Sequence, residues 1–119
     1  MKKTLVLGAT PNPDRYAYRA IHALQRHGHE VVPVGIRPGE VAGLSILQGQ
    51  PDVPNVDTVT LYIGPERQPA YYDYLLALRP KRIIFNPGTE NPDLEQLALK
   101  AGIETDEACT LVMLATGQY

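Results

Sequence analysis

The chain has a single cysteine among 119 residues, a net charge of only -2, and no hydrophobic run long enough to cross a membrane. Each shortage removes a class of protein. A lone Cys109 cannot make an internal disulfide framework, which fits a reducing compartment. The apolar run near the start ends at Gly8 and is followed by Pro11, Asn12, Pro13 and Asp14. That is too short for the core of a signal peptide, so the expectation is a cytoplasmic protein with no membrane partner. Eleven basic residues against 13 acidic ones leave no basic field, so no nucleic-acid partner is expected either. Repeats, linkers and low-complexity segments are also lacking, and the length suits one domain over residues 1–119 with one core.

What is there is alternation of short apolar runs with helical patterns. Residues 4–8 read as a strand covered on both faces. Gly8 gives a tight turn, Asp14 is a plausible N-cap, and Ala17, Ala20, Ile21 and Leu24 recur at helical spacing before Gly28. Residues 30–36 form a second strand, and Pro33 inside it predicts a sheet edge or a strand end. Residues 37–55 read as an irregular crossover around Leu44, Ile46 and Leu47. A third strand covers 56–63. Gly64-Pro65 opens a helix with Tyr71, Tyr74, Leu75 and Leu78 on its buried face, ended by Pro80. A fourth strand covers 81–86. Asn91 caps a further helix with Leu94, Leu97, Ala98 and Ala101 toward the core. Residues 103–105 are a short fifth strand, and the apolar stretch from Cys109 to Ala115 suits a last short helix. The pattern predicts an α/β protein: a doubly wound, parallel five-stranded sheet in three α/β/α layers.

Ligands of such sheets bind beyond the carboxyl ends of the strands, where the strand order reverses. The loops there are 8–14, 35–39, 63–68 and 86–91. The first joins a strand to a helix start, whose unpaired N–H groups favour phosphate. It is not a dinucleotide fingerprint, because Thr10 and Pro13 stand where further glycines belong. Gly8, Ala9, Thr10 and Pro11 still bring backbone and a hydroxyl to a ligand, with Arg15 beside them. After the second strand come Gly35, Ile36 and Arg37. An acidic residue there would bond an unphosphorylated ribose, whereas Arg37 suits a phosphorylated one, as carried by both NADP and coenzyme A. Tyr16 and Tyr18 are candidate walls of the pocket, with core packing as the alternative.

No catalytic constellation emerges. His22, His27 and His29 lack metal-ligand spacing. There is no nucleophile elbow or Ser–His–Asp pattern. Cys109 has no nearby cation in sequence to lower its pKa, and Glu66 and Glu90 fall in pocket loops unpaired. A phospho-acceptor receiver domain would need an Asp where Tyr62-Ile63 stands.

Three stretches carry a resemblance: Gly8-Ala-Thr-Pro-Asn-Pro-Asp-Arg-Tyr-Ala-Tyr-Arg19, His29-Glu-Val-Val-Pro-Val-Gly35 and Phe85-Asn-Pro-Gly-Thr-Glu-Asn91. Together they resemble the stand-alone CoA-binding domain proteins, which are similar to the N-terminal domain of the succinyl-CoA synthetase alpha subunit. The resemblance implies a Rossmann-like fold that binds coenzyme A. It places Gly8, Ala9, Thr10 and Arg15 on the pyrophosphate, Tyr62 and Ile63 against the adenine or pantetheine, and Asn86 and Gly88 on the far side. Two departures stand out. The family's Val-Asn-Pro after the second strand is Val34-Gly35-Ile36 here, with only the basic Arg37 kept. The family's Cys-Pro near the end is Cys109-Thr110. The synthetase's catalytic histidine lies in a second domain that these residues do not contain.

The leading expectation is therefore a binder of coenzyme A or an acyl-CoA without catalysis of its own. An NADP-binding module or reductase fragment, and a ligand-free interaction domain using the apolar tail to meet a second copy or another protein, stay open beside it. Were Cys109 to reach the pocket, it would be placed to form a mixed disulfide with the coenzyme thiol.

Overall fold

The computed structural model describes all residues, 1–119. Five parallel strands form one sheet: β1 (Thr4–Leu7), β2 (Val31–Val34), β5 (Thr58–Leu61), β6 (Arg82–Phe85) and β7 (Glu104–Glu107), in the spatial order β2-β1-β5-β6-β7. In chain order of the parallel strands this is 2-1-3-4-5, so the reversal falls between β1 and β5. Between β2 and β5 lies a separate antiparallel pair, β3 (Glu40–Val41) and β4 (Leu44–Ser45). A regular hairpin thus stands where an irregular crossover is expected. Its far end lies along β2 through a bridge between Val34 and Leu47.

Pro33 stands on an edge strand, as its missing N–H demands. Its carbonyl accepts from Leu47 N–H at 2.9 Å on the side away from β1, so no ladder donor is lost. One face of the sheet packs Leu5, Leu7, Val59, Leu61, Ile83 and Phe85 against Leu75, Leu94 and Ala98. Leu75 belongs to α2 (Tyr72–Ala77), and Leu94 and Ala98 to α3 (Pro92–Lys100). The other face packs Val6 and Val31 against Ile21 and Leu24 of α1 (Tyr16–Arg26) and Leu114 of α4 (Thr110–Ala115). No helix is long and apolar enough to cross a membrane.

Several local expectations need correction. Asp14 is not the N-cap of α1; Arg15 holds that position in an extended conformation, without a side-chain cap. Asp14 is instead drawn into a turn by Asn12, whose Oδ1 accepts the Asp14 N–H at 3.0 Å. The helix expected after Gly64-Pro65 is broken into two 3-10 turns, Pro65–Arg67 and Pro69–Tyr71, before α2 begins. Pro69 has no N–H to continue a helix from Pro65, so the chain restarts there. On α3 only Leu94 and Ala98 are buried; Leu97 and Ala101 are exposed, because the helix meets the sheet along a narrow i, i+4 stripe. The fifth strand runs 104–107 rather than 103–105.

At the amino ends of the strands the second face of the sheet turns polar. Thr4, Thr58 and Arg82 are buried there. Arg82 donates to Thr58 Oγ1 through Nε at 3.2 Å and Nη2 at 3.1 Å, and its guanidinium lies 4.5 Å from the centre of the Tyr119 ring. The Tyr119 hydroxyl pairs with Thr4 Oγ1 at 2.6 Å, and the ring packs on His29. His29 Nδ1 accepts the Lys2 backbone N–H at 2.9 Å, a role open only to an unprotonated nitrogen. Burial holds the His29 pKa below its ordinary value, and repulsion from the N-terminal amine, Lys2, His27 and Arg82 adds to it.

Two predictions follow from these contacts. Below pH 6.5 the unfolded chain protonates this histidine before the folded chain does. Stability therefore falls as pH drops through that window and levels off below the folded pKa. Thermal melts of wild type and His29→Gln from pH 8 to pH 5 should show the wild type losing more on the acid side; parallel curves would refute this. The second concerns Gly35, where an added Cβ would overlap the Ala9 carbonyl oxygen. Gly35→Ala should lower the unfolding free energy by about 1–3 kcal/mol in denaturant titration, and an unchanged midpoint would count against the close approach.

Candidate functional site

The cleft of about 670 Å³ at the carboxyl ends of the strands is the place to look for ligand chemistry. It lies over the reversal between β1 and β5, and the loops after β1, β2, β5 and β6 all contribute. Gly8 makes this possible. Its φ is +105°, a region that favours glycine, and a Cβ there would lie 2.9 Å from the Tyr62 carbonyl carbon and oxygen. Gly8 and Ala9 both donate their N–H to Val34 O, at 2.9 and 3.0 Å, and Tyr62 N–H donates to Leu7 O at 2.8 Å. The turn is thus held between the ends of β2 and β5.

Beyond the turn the loop folds on its own side chains. Thr10 Oγ1 accepts from Asn12 N–H at 3.2 Å, and Asn12 O accepts from Arg15 N–H at 3.1 Å. The loop leads into α1, whose first turn has neither a side-chain cap nor an acidic residue. α3 is the contrast. There Asn91 Oδ1 accepts from Asp93 and Leu94 N–H at 3.1 and 3.3 Å, and Asp93 and Glu95 follow in the first turn. One helix start is closed by its own chain; the other offers its amides to the cleft.

The charge of the lining is one-sided. Arg15, Arg37 and Arg67 line it; a carboxylate that comes up to its rim is that of Glu90, whose Oε1 accepts the Gly88 N–H at 2.9 Å. None of the three is in an ion pair; the two ion pairs in the molecule are Lys3–Glu30 and Lys81–Asp57. Two of the most exposed large apolar side chains, Tyr16 at 65% and Ile36 at 61%, also border the cleft, so it has flat apolar walls beside its cations.

The expected site residues Gly8, Ala9, Thr10, Pro11, Arg15, Gly35, Ile36, Arg37, Tyr62, Ile63 and Gly88 all come together in this lining. Tyr18 and Asn86 do not. Tyr18 is half-buried, with its ring 4.6 Å from that of His22, one turn along α1. Helical rotation turns Tyr18 away from the loops and leaves Tyr16 facing them. Asn86 is buried beneath the cleft. Its Nδ2 donates to Thr60 Oγ1 at 2.6 Å and Leu61 O at 2.8 Å, and its Oδ1 accepts from Thr110 N–H at 2.9 Å. It ties β5, β6 and α4 together. Burial pushes the Tyr62 phenol far above its ordinary value, so it stays protonated. Cys109 is half-buried and outside the lining, so the condition for a mixed disulfide with a bound thiol is not met.

Residues missed by sequence reasoning include Arg67, Tyr71, Pro87 and Thr89. Arg67 carried a usable signal: it is the basic residue in a loop already placed at the carboxyl end of a strand. The lining holds no His or Cys, and nowhere in the chain do three His, Cys, Asp or Glu side chains gather as a metal site would need.

Comparison with known proteins finds the same fold in solved structures. A crystal structure of an uncharacterized protein is 55% identical, with a TM-score of 0.98 over 100% of this chain and 98% of that one. A hypothetical protein from Pyrococcus horikoshii OT3 is 26% identical, with a TM-score of 0.88 over 97% of this chain and 82% of that one. A Thermus thermophilus structure, cell-free ID.343, shares the fold at 24% identity and a TM-score of 0.85, over 99% of this chain and 91% of that one. No curated protein matches. The family model described as CoA binding domain covers residues 2–115, which include every strand and helix and the whole lining of the cleft, and the chain belongs to that family.

Proposed function

We propose that the cleft binds coenzyme A or an acyl-CoA, and that the chain does no chemistry on it. The observation that carries this reading is the set of three guanidiniums outside any ion pair, together with an uncapped helix start. Coenzyme A carries two phosphate clusters, a pyrophosphate and a 3′-phosphate. The Gly8–Thr10 backbone, the first turn of α1 and Arg15 suit the pyrophosphate. Arg37, after β2, suits the 3′-phosphate, and Tyr16 and Ile36 give the adenine apolar surface. A binding role without catalysis is supported by the side chains on offer. The lining holds hydroxyl, amide and guanidinium groups, and no His, Cys, Asp or Glu stands in it to serve as a general base.

Arg37 alone would also suit the 2′-phosphate of NADP, so the test compares both. Calorimetry with coenzyme A, 3′-dephospho-coenzyme A, NADP and NAD should show coenzyme A binding best. Loss of its 3′-phosphate should cost about 1–3 kcal/mol, and Arg37→Ala should remove a similar amount for coenzyme A but little for the dephospho form. Absence of saturable binding by coenzyme A, or tighter binding of NADP, would overturn the proposal.

A further inference from the structure

Between Arg67 and Pro69, both exposed, stands a side chain that is wholly buried. Gln68 has 0% of its surface exposed. Its Nε2 donates to Ile63 O at 3.0 Å and to Thr89 O at 2.8 Å. Its Oε1 accepts from Asn91 Nδ2 at 2.9 Å. Both hydrogens of the amide and its oxygen are therefore used. Asn91 Nδ2 also donates to the Tyr72 hydroxyl at 2.8 Å, while its Oδ1 caps α3. Thr89 is held from its other side, since its Oγ1 and its N–H both donate to Asn86 O, at 2.8 and 2.9 Å.

The two segments joined this way are neighbours that together form one wall of the cleft, across from the loops after β1 and β2. Ile63, Gly64, Arg67 and Tyr71 belong to one segment, and Pro87, Gly88 and Thr89 to the other. The β5–β6 ladder ends at Leu61 and Phe85, and no backbone hydrogen bond runs between residues 63–71 and 86–91. The Gln68 amide, with the Asn91–Tyr72 contact behind it, is the polar link across that gap. A hydrocarbon of the same length would fill the space, yet would leave the buried Ile63 and Thr89 carbonyls without these partners.

We infer that Gln68 is a positioning residue for ligand recognition: it holds the loops after β5 and β6 together as one wall of the cleft, and so sets affinity for the part of the ligand beyond its phosphates. This rests on the coenzyme A reading of the cleft. The phosphate groups are held by the loops after β1 and β2, so the pantetheine arm is left with the half of the cleft that Gln68 braces. The amide touches no ligand atom. It acts by keeping that wall in the bound arrangement before the ligand arrives, which spares the ordering cost on binding.

The test is calorimetry of the full chain with two ligands, coenzyme A and adenosine 3′,5′-bisphosphate, which lacks the pantetheine arm. Gln68→Met keeps the length of the side chain and removes all three hydrogen bonds. It should weaken coenzyme A by about tenfold or more and leave the bisphosphate within about twofold. Tyr72→Phe, which deletes only the outer contact to Asn91 and lies outside the lining, should give the same selectivity with a smaller loss. It decides the matter if Gln68→Met does not fold. Equal losses for both ligands, or no loss in a folded Tyr72→Phe or Gln68→Met protein, would overturn the inference and leave the coenzyme A reading standing. Failure of the wild type to bind coenzyme A at all would overturn both.

Discussion

The β1–α1 turn passes so close to its two neighbours that side chains are excluded at two points. At Gly8 the limit is the Tyr62 backbone, and at Gly35 it is the Ala9 carbonyl. The rest of the site depends on this contact. Because the turn is clamped by Val34 O on one side and Leu7 O holds Tyr62 on the other, the ends of β2, β1 and β5 form one continuous floor. The reversal of strand order then opens a cleft above that floor, since the helices that follow β1 and β5 leave on opposite faces of the sheet. A methyl group at Gly8 would push the loop that carries Thr10 away from Tyr62, and one at Gly35 would push it away from the loop that carries Arg37.

The chain treats its helix starts unequally, and that difference separates support from binding. α3 is sealed by Asn91, which is itself locked by Gln68 and Tyr72. Its polar groups are satisfied internally, so it serves as a rigid post for the far wall. α1 begins without a cap and faces three arginines that have no acidic partner. Local turn bonds within Thr10–Arg15 hold this loop without using the helix amides. The result is a preformed positive site beside a wall braced by internal hydrogen bonds, which suits a ligand with phosphates at one end and amides at the other.

Much of this was legible in the sequence because it depends on short-range chemistry. Four-residue apolar runs set off by Gly, Pro and Asn mark parallel strands, and Pro33 marks an edge, whatever the details of packing. The glycine turn and Arg37 could be placed because strand ends define where loops converge. What escaped reading depends on which element covers which flank. Tyr16 and Tyr18 look alike in sequence, and only the turn of α1 toward α4 sends Tyr18 to His22 and leaves Tyr16 in the cleft. Leu97 has the right period for the core, yet α3 touches the sheet along too narrow a stripe to bury it. Gln68 lies in the loop and expected helix start around Gly64-Pro65, where nothing in its polar and proline neighbours marks it. Its importance arises only when the loops after β5 and β6 come side by side.

The most direct measurement is a titration of the amide-labelled protein with coenzyme A followed by NMR. The account predicts that the largest shifts fall on the amides of Gly8, Ala9, Thr10, Tyr16, Ala17 and Gly35 to Arg37, at the carboxyl ends of the strands. Shifts centred on Lys2, His29 and Tyr119 at the opposite end of the sheet, or none at saturating coenzyme A, would contradict it.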